Sequence, residues 1–395
     1  MRYILSIFLL TLAFSCSFFG EKNKVSDYIE KPDYSLKSVE YVPVLPYFGT
    51  DIKPVNLYFG YDELLYAVDS AKGIVSYDAA GKFLGRFDLP NIHFVIQNRS
   101  LDLYALGKMD TLINNVAYNL PVLYKIGQKS ASPGSEIRTL NLANARILKK
   151  LVYPFCINET SKLNNKVAVE NTRFNAMGFL DDNSYYLTCA GPLEGNNELF
   201  ITRRSSILYF GASDVFQGGF SEIPGVEPLG LTTLVQPPQR ARMETRKDYI
   251  YTSATPGLAI SVRYIEVTLT PEGLVTAFKP LATPSKTDAD GFLYQPGRFQ
   301  NPISVLYAGT SQKYIFVADA SKDSVFAYQE NGYEGTIPPP QYSNRKLIRV
   351  SFGGTGSGPY QFRRPSGLAF SNRMLYVADP GNNRISRFKL TSDYE

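Results

Sequence analysis

The feature of this sequence that most constrains its fold is a repeated order of short strands and turns. Residues 53–87, 301–328 and 363–390 all follow it. In each, a proline opens a short apolar strand, an aromatic-rich strand ends in aspartate, and a third strand ends in an aromatic residue. Units of this size cannot bury both faces of their sheet alone, so they stack on one another.

The recurring residues have local physical reasons. Proline lacks an amide hydrogen and suits the first residue of a strand. Aspartate at a strand end accepts hydrogen bonds from backbone amides of the following turn. Because they recur at one position of the repeat, we predict a structural role for Asp69, Asp319 and Asp379.

The last copy, which reads PSGLAF…LYVADPGNNRISRF, resembles the NHL repeat, the blade unit of a family of β-propellers. Its Asn-Arg pair includes Arg384, which the resemblance makes a structural residue, whereas the two earlier copies have SAKG and ASKDS there. Between about residues 127 and 291 the resemblance fades. It implies an all-β propeller, and such domains commonly have six blades.

Composition and length agree with this fold. The chain holds 28 Tyr, 25 Phe, 30 Gly and 25 Pro, which favours strands broken by tight turns. Dividing the body of the chain by roughly 60 residues per blade predicts six blades, with seven as the alternative.

The final blade lacks a fourth strand of its own. Strands are predicted near residues 367–370, 375–378 and 385–388, and the sequence ends at Glu395. An uncovered strand leaves a row of unpaired backbone groups. The strand-like run SVEYVPVL, residues 38–45, belongs to no repeat. We therefore predict that it pairs with the third strand of the last blade and closes the ring.

The first residues carry an export signal. Arg2 precedes an apolar run and the small residue Ser15, and Cys16 follows. This is the layout of a secretory signal peptide, and the run is shorter than the ~20 residues of a membrane-spanning helix. The cysteine resembles the lipobox of bacterial lipoproteins, which implies lipidation of Cys16, although Ala13 stands where the box prefers leucine. The alternative is an ordinary secretory signal with Cys16 incidental.

These features divide the chain into three parts. We predict a signal peptide over residues 1–15, a flexible tether over 16–36 and the propeller over 37–395. An exported protein can form a disulfide, which makes Cys156 and Cys189 candidates for one; buried free thiols are the alternative.

The supply of catalytic residues is small. His93 is the single histidine and lies in an alternating stretch, so we interpret it as a blade residue; no catalytic residue, metal site or cofactor is predicted. The net charge of +5 is modest and both signs are scattered, so no nucleic-acid partner is expected.

Two functions remain open, and binding is favoured over catalysis. The first is a monomeric, lipid-anchored binding platform of the bacterial cell envelope for a protein, peptide or glycan. The outer membrane or cell surface is favoured, with the periplasmic face as the alternative. The second is a propeller enzyme of lyase or lactonase type that uses carboxylates and a divalent ion near the axis. The residues that line the axis distinguish them.

The lipid anchor is testable in a bacterial host. Replacing Cys16→Ser removes the thiol that acylation requires, so we expect the protein to move from the membrane fraction to the soluble fraction. Mass spectrometry of the mature N-terminus is the second measurement. Unchanged fractionation without acyl mass would show that Cys16 is not an anchor.

Overall fold

The structure is a computed structural model, and the compact unit that holds the described residues is Val39–Glu395. The residues described are 39–128, 139–194, 202–203, 206–220, 226–235, 244–309, 313–339 and 345–394. The predicted signal peptide, the predicted tether and Cys16 lie outside these ranges.

Six four-stranded antiparallel sheets occupy the described ranges, and each is one blade of a propeller. From the axis outwards, the first blade consists of β2 (Pro54–Phe59), β3 (Leu65–Asp69), β4 (Gly73–Tyr77) and β5 (Phe83–Asp88), and the second of β6 (Ile92–Gln97), β7 (Leu103–Ile113), β8 (Val116–Gly127) and β9 (Arg146–Val152). The third blade consists of β10 (Arg173–Phe179), β11 (Tyr185–Ala190), β14 (Ser206–Phe210) and β15 (Phe216–Phe220), and the fourth of β16 (Pro228–Thr233), β17 (Tyr249–Ser253), β18 (Val262–Thr270) and β19 (Gly273–Phe278). The fifth blade consists of β20 (Pro302–Ala308), β21 (Tyr314–Asp319), β22 (Ser324–Gln329) and β23 (Phe352–Gly353), and the sixth of β24 (Gly367–Ser371), β25 (Met374–Asp379), β26 (Arg384–Leu390) and β1 (Tyr41–Pro43).

The strands nearest the axis form a closed ring. Strand β2 contacts β6, and the contacts continue through β10, β16, β20 and β24 back to β2. One cluster of buried apolar side chains lies between each pair of neighbouring blades, so six clusters together form the core. The prediction of six blades is confirmed, and the seven-blade alternative is wrong.

The ring closes as the sequence predicts. Strand β1 pairs antiparallel with β26, with Tyr41 opposite Leu390 and Pro43 opposite Phe388. The Val44 amide also donates to the Arg387 carbonyl at 2.8 Å. As the outermost strand of its blade, β1 tolerates Pro43, which has no amide hydrogen to donate.

Insertions between strands form the remaining described elements. Helix α1 (Lys166–Asn171) and the 3-10 turns Phe155–Ile157 and Thr160–Asn164 precede β10, and the short hairpin of β12 (Leu193–Glu194) and β13 (Thr202–Arg203) belongs to the third blade. Further 3-10 turns are Leu142–Asn144, Pro380–Asn382 and Thr391–Tyr394. None of the described helices is long and apolar enough to cross a membrane.

A buried carboxylate holds the insertion before β20 in place. Glu334 is 1% exposed and accepts hydrogen bonds from Arg298 Nη2 at 2.6 Å, Arg349 Nε at 3.1 Å and Ser351 Oγ at 2.6 Å. A buried charge is stable only with such partners. The network therefore ties residues before β20 to residues that lead into β23.

Ring closure predicts a difference between two neighbouring side chains. Tyr41 is 2% exposed and its ring lies 5.9 Å from that of Phe316, whereas Leu45 is 61% exposed. We expect Tyr41→Ala to lower the free energy of unfolding by about 3–5 kcal/mol, as aromatic-to-alanine changes in cores do. Leu45→Ala is the control and should change it little. Equal denaturation midpoints for both variants would contradict the closure.

A candidate binding cavity on the propeller axis

A cavity of about 320 Å³ lies where the six inner strands surround the axis. Every blade contributes to its wall, and the volume is at the lower end of the range of small-molecule sites. Most of the wall is apolar. Examples from five strands are Val55, Phe94, Leu229, Ile303 and Leu368.

Irregular pairing at the start of the inner strands brings several of these side chains into the wall. The register between β2 and β3 shifts between Pro54 and Asn56, which leaves Val55 without an opposite residue. Similar register shifts in β20 and β6 leave Ile303 and His93 without an opposite residue. An extra residue in one strand re-aims its side chain, and here these residues line the cavity.

His93 is the ionisable side chain best placed for a ligand. Its Nε2 atom lies 2.7 Å from the Phe174 carbonyl oxygen, at the start of the next blade's inner strand. A carbonyl only accepts, so Nε2 carries the hydrogen and donates, which leaves Nδ1 as an acceptor. The sequence interpretation of His93 as a blade residue matches its place in β6, but its position on the cavity wall was not foreseen.

His93 is neutral at physiological pH. The side chain is accessible to water and lines the cavity, where the surrounding protein atoms still desolvate the imidazole. Burial lowers its pKa from the ordinary value, the hydrogen bond to the Phe174 carbonyl opposes that shift, and the nearby charges of Arg173 and Lys108 lower it further. The imidazole therefore accepts a proton only below its ordinary range.

Two asparagines at the same end of the cavity join neighbouring blades. Asn56 Oδ1 accepts from the Val95 amide at 3.0 Å, and Asn175 Nδ2 donates to the Pro228 carbonyl at 2.8 Å. With His93, they place polar groups at this end of a mostly apolar wall. These hydrogen bonds fix the side chains before any ligand arrives.

At the other end, the cavity meets tyrosines and paired charges. The Tyr58 hydroxyl donates to the Gln97 carbonyl at 3.2 Å, and burial raises the pKa of Tyr61 to about 12, so Tyr61 is also neutral. The guanidinium of Arg99 lies 5.5 Å from the centre of the Tyr61 ring and pairs with Asp181.

Further ion pairs lie at this end of the cavity, on the turns of the later blades. Arg246 pairs with Glu244 at 2.8 Å and with Glu330 at 2.7 Å, and Lys313 pairs with Glu330 at 3.0 Å. The charges at this end thus balance one another.

The repeat aspartates lie away from the cavity. Asp319 accepts from the amides of Asn301 and Ser321, and Asp379 accepts from the Arg363 amide at 2.8 Å. Asp319 therefore binds both the segment that leads into β20 and the turn after β21, and Asp379 binds the segment that leads into β24. Asp69 makes the simpler bond, to the Ala71 amide at 3.0 Å.

Arg384 completes this arrangement in the last blade. Its Nε donates to Asp379 at 3.0 Å, and its Nη atoms donate to the carbonyls of Ser357, Gly358 and Gln361. The guanidinium also lies 4.3 Å from the centre of the Tyr47 ring. One side chain thus holds residues 357–361 against the blade.

The enzyme alternative requires carboxylates near the axis. The described residues that line the cavity include no Asp or Glu. In the described ranges, no three His, Cys, Asp or Glu side chains lie close enough together to hold a metal ion.

Comparisons with known proteins bear on the fold. No protein-family model matches the sequence, and no curated protein matches it. Among solved structures, the chain is similar to a candidate phosphatase from Bacteroides thetaiotaomicron, with 10% identity and a TM-score of 0.50 over 89% of this chain and 79% of that one.

Two further structures are similar at lower scores. An aldose sugar dehydrogenase from Streptomyces coelicolor has 11% identity and a TM-score of 0.49 over 89% of this chain and 98% of that one. An auxiliary nutrient-binding protein from Bacteroides thetaiotaomicron has 11% identity and a TM-score of 0.48 over 90% and 73%. Fold and site together define a six-bladed β-propeller with a largely apolar cavity on its axis.

The two candidate disulfide cysteines are free thiols in the structure. Both pack in the cluster between the second and third blades, where Cys189 is buried and Cys156 is half-buried. The pairing suggested from the sequence is therefore not formed. Desolvation raises the pKa of each thiol to about 12, which keeps both protonated and unreactive.

This state predicts a thiol count. In protein carrying Cys16→Ser, we expect slow reaction with Ellman's reagent at mildly alkaline pH while the protein is folded. After unfolding without reductant, two thiols per chain should react rapidly. Additional replacement of Cys189→Ala should leave one. A count of zero before reduction would show a disulfide instead.

Proposed function

We propose that this protein is a lipid-anchored binding protein of the bacterial cell envelope, and that its NHL-type propeller binds its ligand in the axial cavity. The observation that carries the proposal is one cavity built by the inner strands of all six blades, with a neutral and mainly apolar wall. Such a wall releases water when an apolar group enters.

The size of the cavity restricts what enters it. About 320 Å³ accommodates a small molecule, or one side chain or end of a peptide, but not a folded protein domain. A glycan would bring many hydroxyl groups to a wall with few polar partners. The geometry therefore favours a small ligand or the tip of a peptide over the other ligand classes considered.

The anchor and tether set where the propeller works. Acylation of Cys16 would hold the chain on a membrane through acyl chains at ~0.8 kcal/mol per buried methylene. A flexible tether over residues 16–36 would span about 25 Å on average. The propeller would then sample ligands close to the membrane surface, on the outer membrane or the cell surface.

A cavity-filling variant tests the site. Leu229 is half-buried on the cavity wall, so Leu229→Trp should occupy the space that a ligand needs. We expect N-phenyl-1-naphthylamine, an uncharged apolar fluorescent probe, to bind the wild type at one site per chain. The affinity should fall at least about tenfold in the variant, a loss of ~1.4 kcal/mol.

The matched control is the same substitution at a surface position. Leu269 is 73% exposed on β18, so Leu269→Trp should leave probe binding unchanged. The chain has no tryptophan of its own, so both variants also report their folding by fluorescence. Equal probe affinity in wild type and Leu229→Trp would place binding outside the cavity and refute the proposal.

A further inference from the structure

We infer that the axial cavity selects an uncharged, mainly apolar ligand that donates a hydrogen bond to Nδ1 of His93. This inference rests on the proposed function and adds the chemistry by which the cavity recognises its ligand. It follows from three properties of the site: the tautomer of His93, the hydrogen bonds that neighbouring polar groups already make to adjacent blades, and the charges around the His93 imidazole.

The tautomer is set by the fold. Phe174, whose carbonyl accepts from Nε2, lies in β10, which is part of the ring of inner strands. Because that carbonyl cannot donate, the neutral imidazole must carry its hydrogen on Nε2. Nδ1 then has a lone pair, and none of the described residues shares a hydrogen bond with it. The ring lines the cavity, so a ligand can reach this acceptor.

Neighbouring polar groups already make hydrogen bonds within the protein before a ligand arrives. Asn56 Oδ1 accepts from the Val95 amide, and Asn175 Nδ2 donates to the Pro228 carbonyl. These bonds hold adjacent blades together, so a ligand that breaks them loses binding energy. Nδ1 of His93 has no such role, which makes it available for recognition.

The charges that face His93 come from several elements. Strand β7 supplies Lys108, which donates to the Glu170 carbonyl of α1, and β10 supplies Arg173, which pairs with Glu227. The Glu170 carboxylate accepts from the Asn119 amide at 3.0 Å. Strand β2 presents uncharged side chains to the cavity.

These surroundings disfavour a charged ligand. Burial is the main cause that lowers the pKa of the imidazole, and repulsion from the two nearby cations lowers it further. A cationic ligand would meet the same repulsion. An anion would have to leave water for an apolar wall, which is costly without a buried partner. A neutral donor meets neither penalty.

Paired probes test the inference. N-phenyl-1-naphthylamine has one N–H donor, and 1-phenoxynaphthalene has nearly the same shape with an ether oxygen in its place. At about pH 7.5, where His93 is neutral, we expect the amine to bind the wild type about tenfold more tightly than the ether. In His93→Phe, which offers no acceptor, the two affinities should become equal.

The pH dependence gives an independent readout. Below the lowered pKa of His93, Nδ1 carries a proton and cannot accept, so the preference for the amine should persist through the ordinary titration range of histidine and disappear only at lower pH. In His93→Gln, whose amide can donate to Phe174 and offer an oxygen, the preference should persist and not change with pH. The ether corrects for any general change of the protein with pH.

The outcomes separate the two proposals. Equal affinities for the amine and the ether in the wild type, with both lost in Leu229→Trp, would overturn the role of His93 while cavity binding stands. An amine preference in His93→Phe as large as in the wild type would also overturn it. Probe binding that is insensitive to Leu229→Trp would overturn both proposals.

Discussion

The antiparallel pairing of β1 with β26 is the interaction on which the rest of the structure depends. It joins residues near the two ends of the described chain, and it covers the outer edge of the last blade. Tyr41 adds a side chain to the core between the fifth and sixth blades. Without this strand, backbone groups of β26 would be unpaired and the ring would be held there by side-chain packing alone.

The pairing of β1 with β26 also maintains the cavity, although the two are far apart. Strand β1 lies three strand spacings from β24, about 14 Å, yet it keeps the sixth blade in the ring. Because six inner strands enclose the axis, the cavity exists only while every blade stays in place. The hydrogen bonds of His93, Asn56 and Asn175 between adjacent inner strands then hold the polar groups of its wall. Stability and binding therefore rest on the same inter-blade contacts.

Much of the fold could be predicted from the sequence because the last repeat carries strong local signals. The strands expected near residues 367–370, 375–378 and 385–388 are β24, β25 and β26, and the unassigned run 38–45 contains β1. The strands of the middle blades were harder to predict, because their ends lack the repeat aspartate. The Glu334 network was missed since it joins residues that are close only after folding.

The candidate site could be predicted less well than the fold. In a regular strand, alternation shows which side chains share a face, and an extra residue reverses that assignment. His93 is the extra residue at such a shift in β6, so its orientation towards the axis could not be read from the pattern of NIHFVIQ. The single histidine did have one visible signal, which is its place near the start of an inner strand. The free state of Cys156 and Cys189 likewise depends on packing that spacing alone does not reveal.

The most direct measurement is nitrogen-15 NMR of protein labelled at histidine, because His93 is the single imidazole and needs no assignment. At neutral pH the spectrum should show a neutral ring with hydrogen on Nε2 and a bare Nδ1. Addition of N-phenyl-1-naphthylamine should shift the Nδ1 signal towards that of a hydrogen-bonded acceptor, and 1-phenoxynaphthalene should not. A charged imidazole at neutral pH, hydrogen on Nδ1, or an Nδ1 signal that ignores the amine would contradict the proposed recognition in the axial cavity.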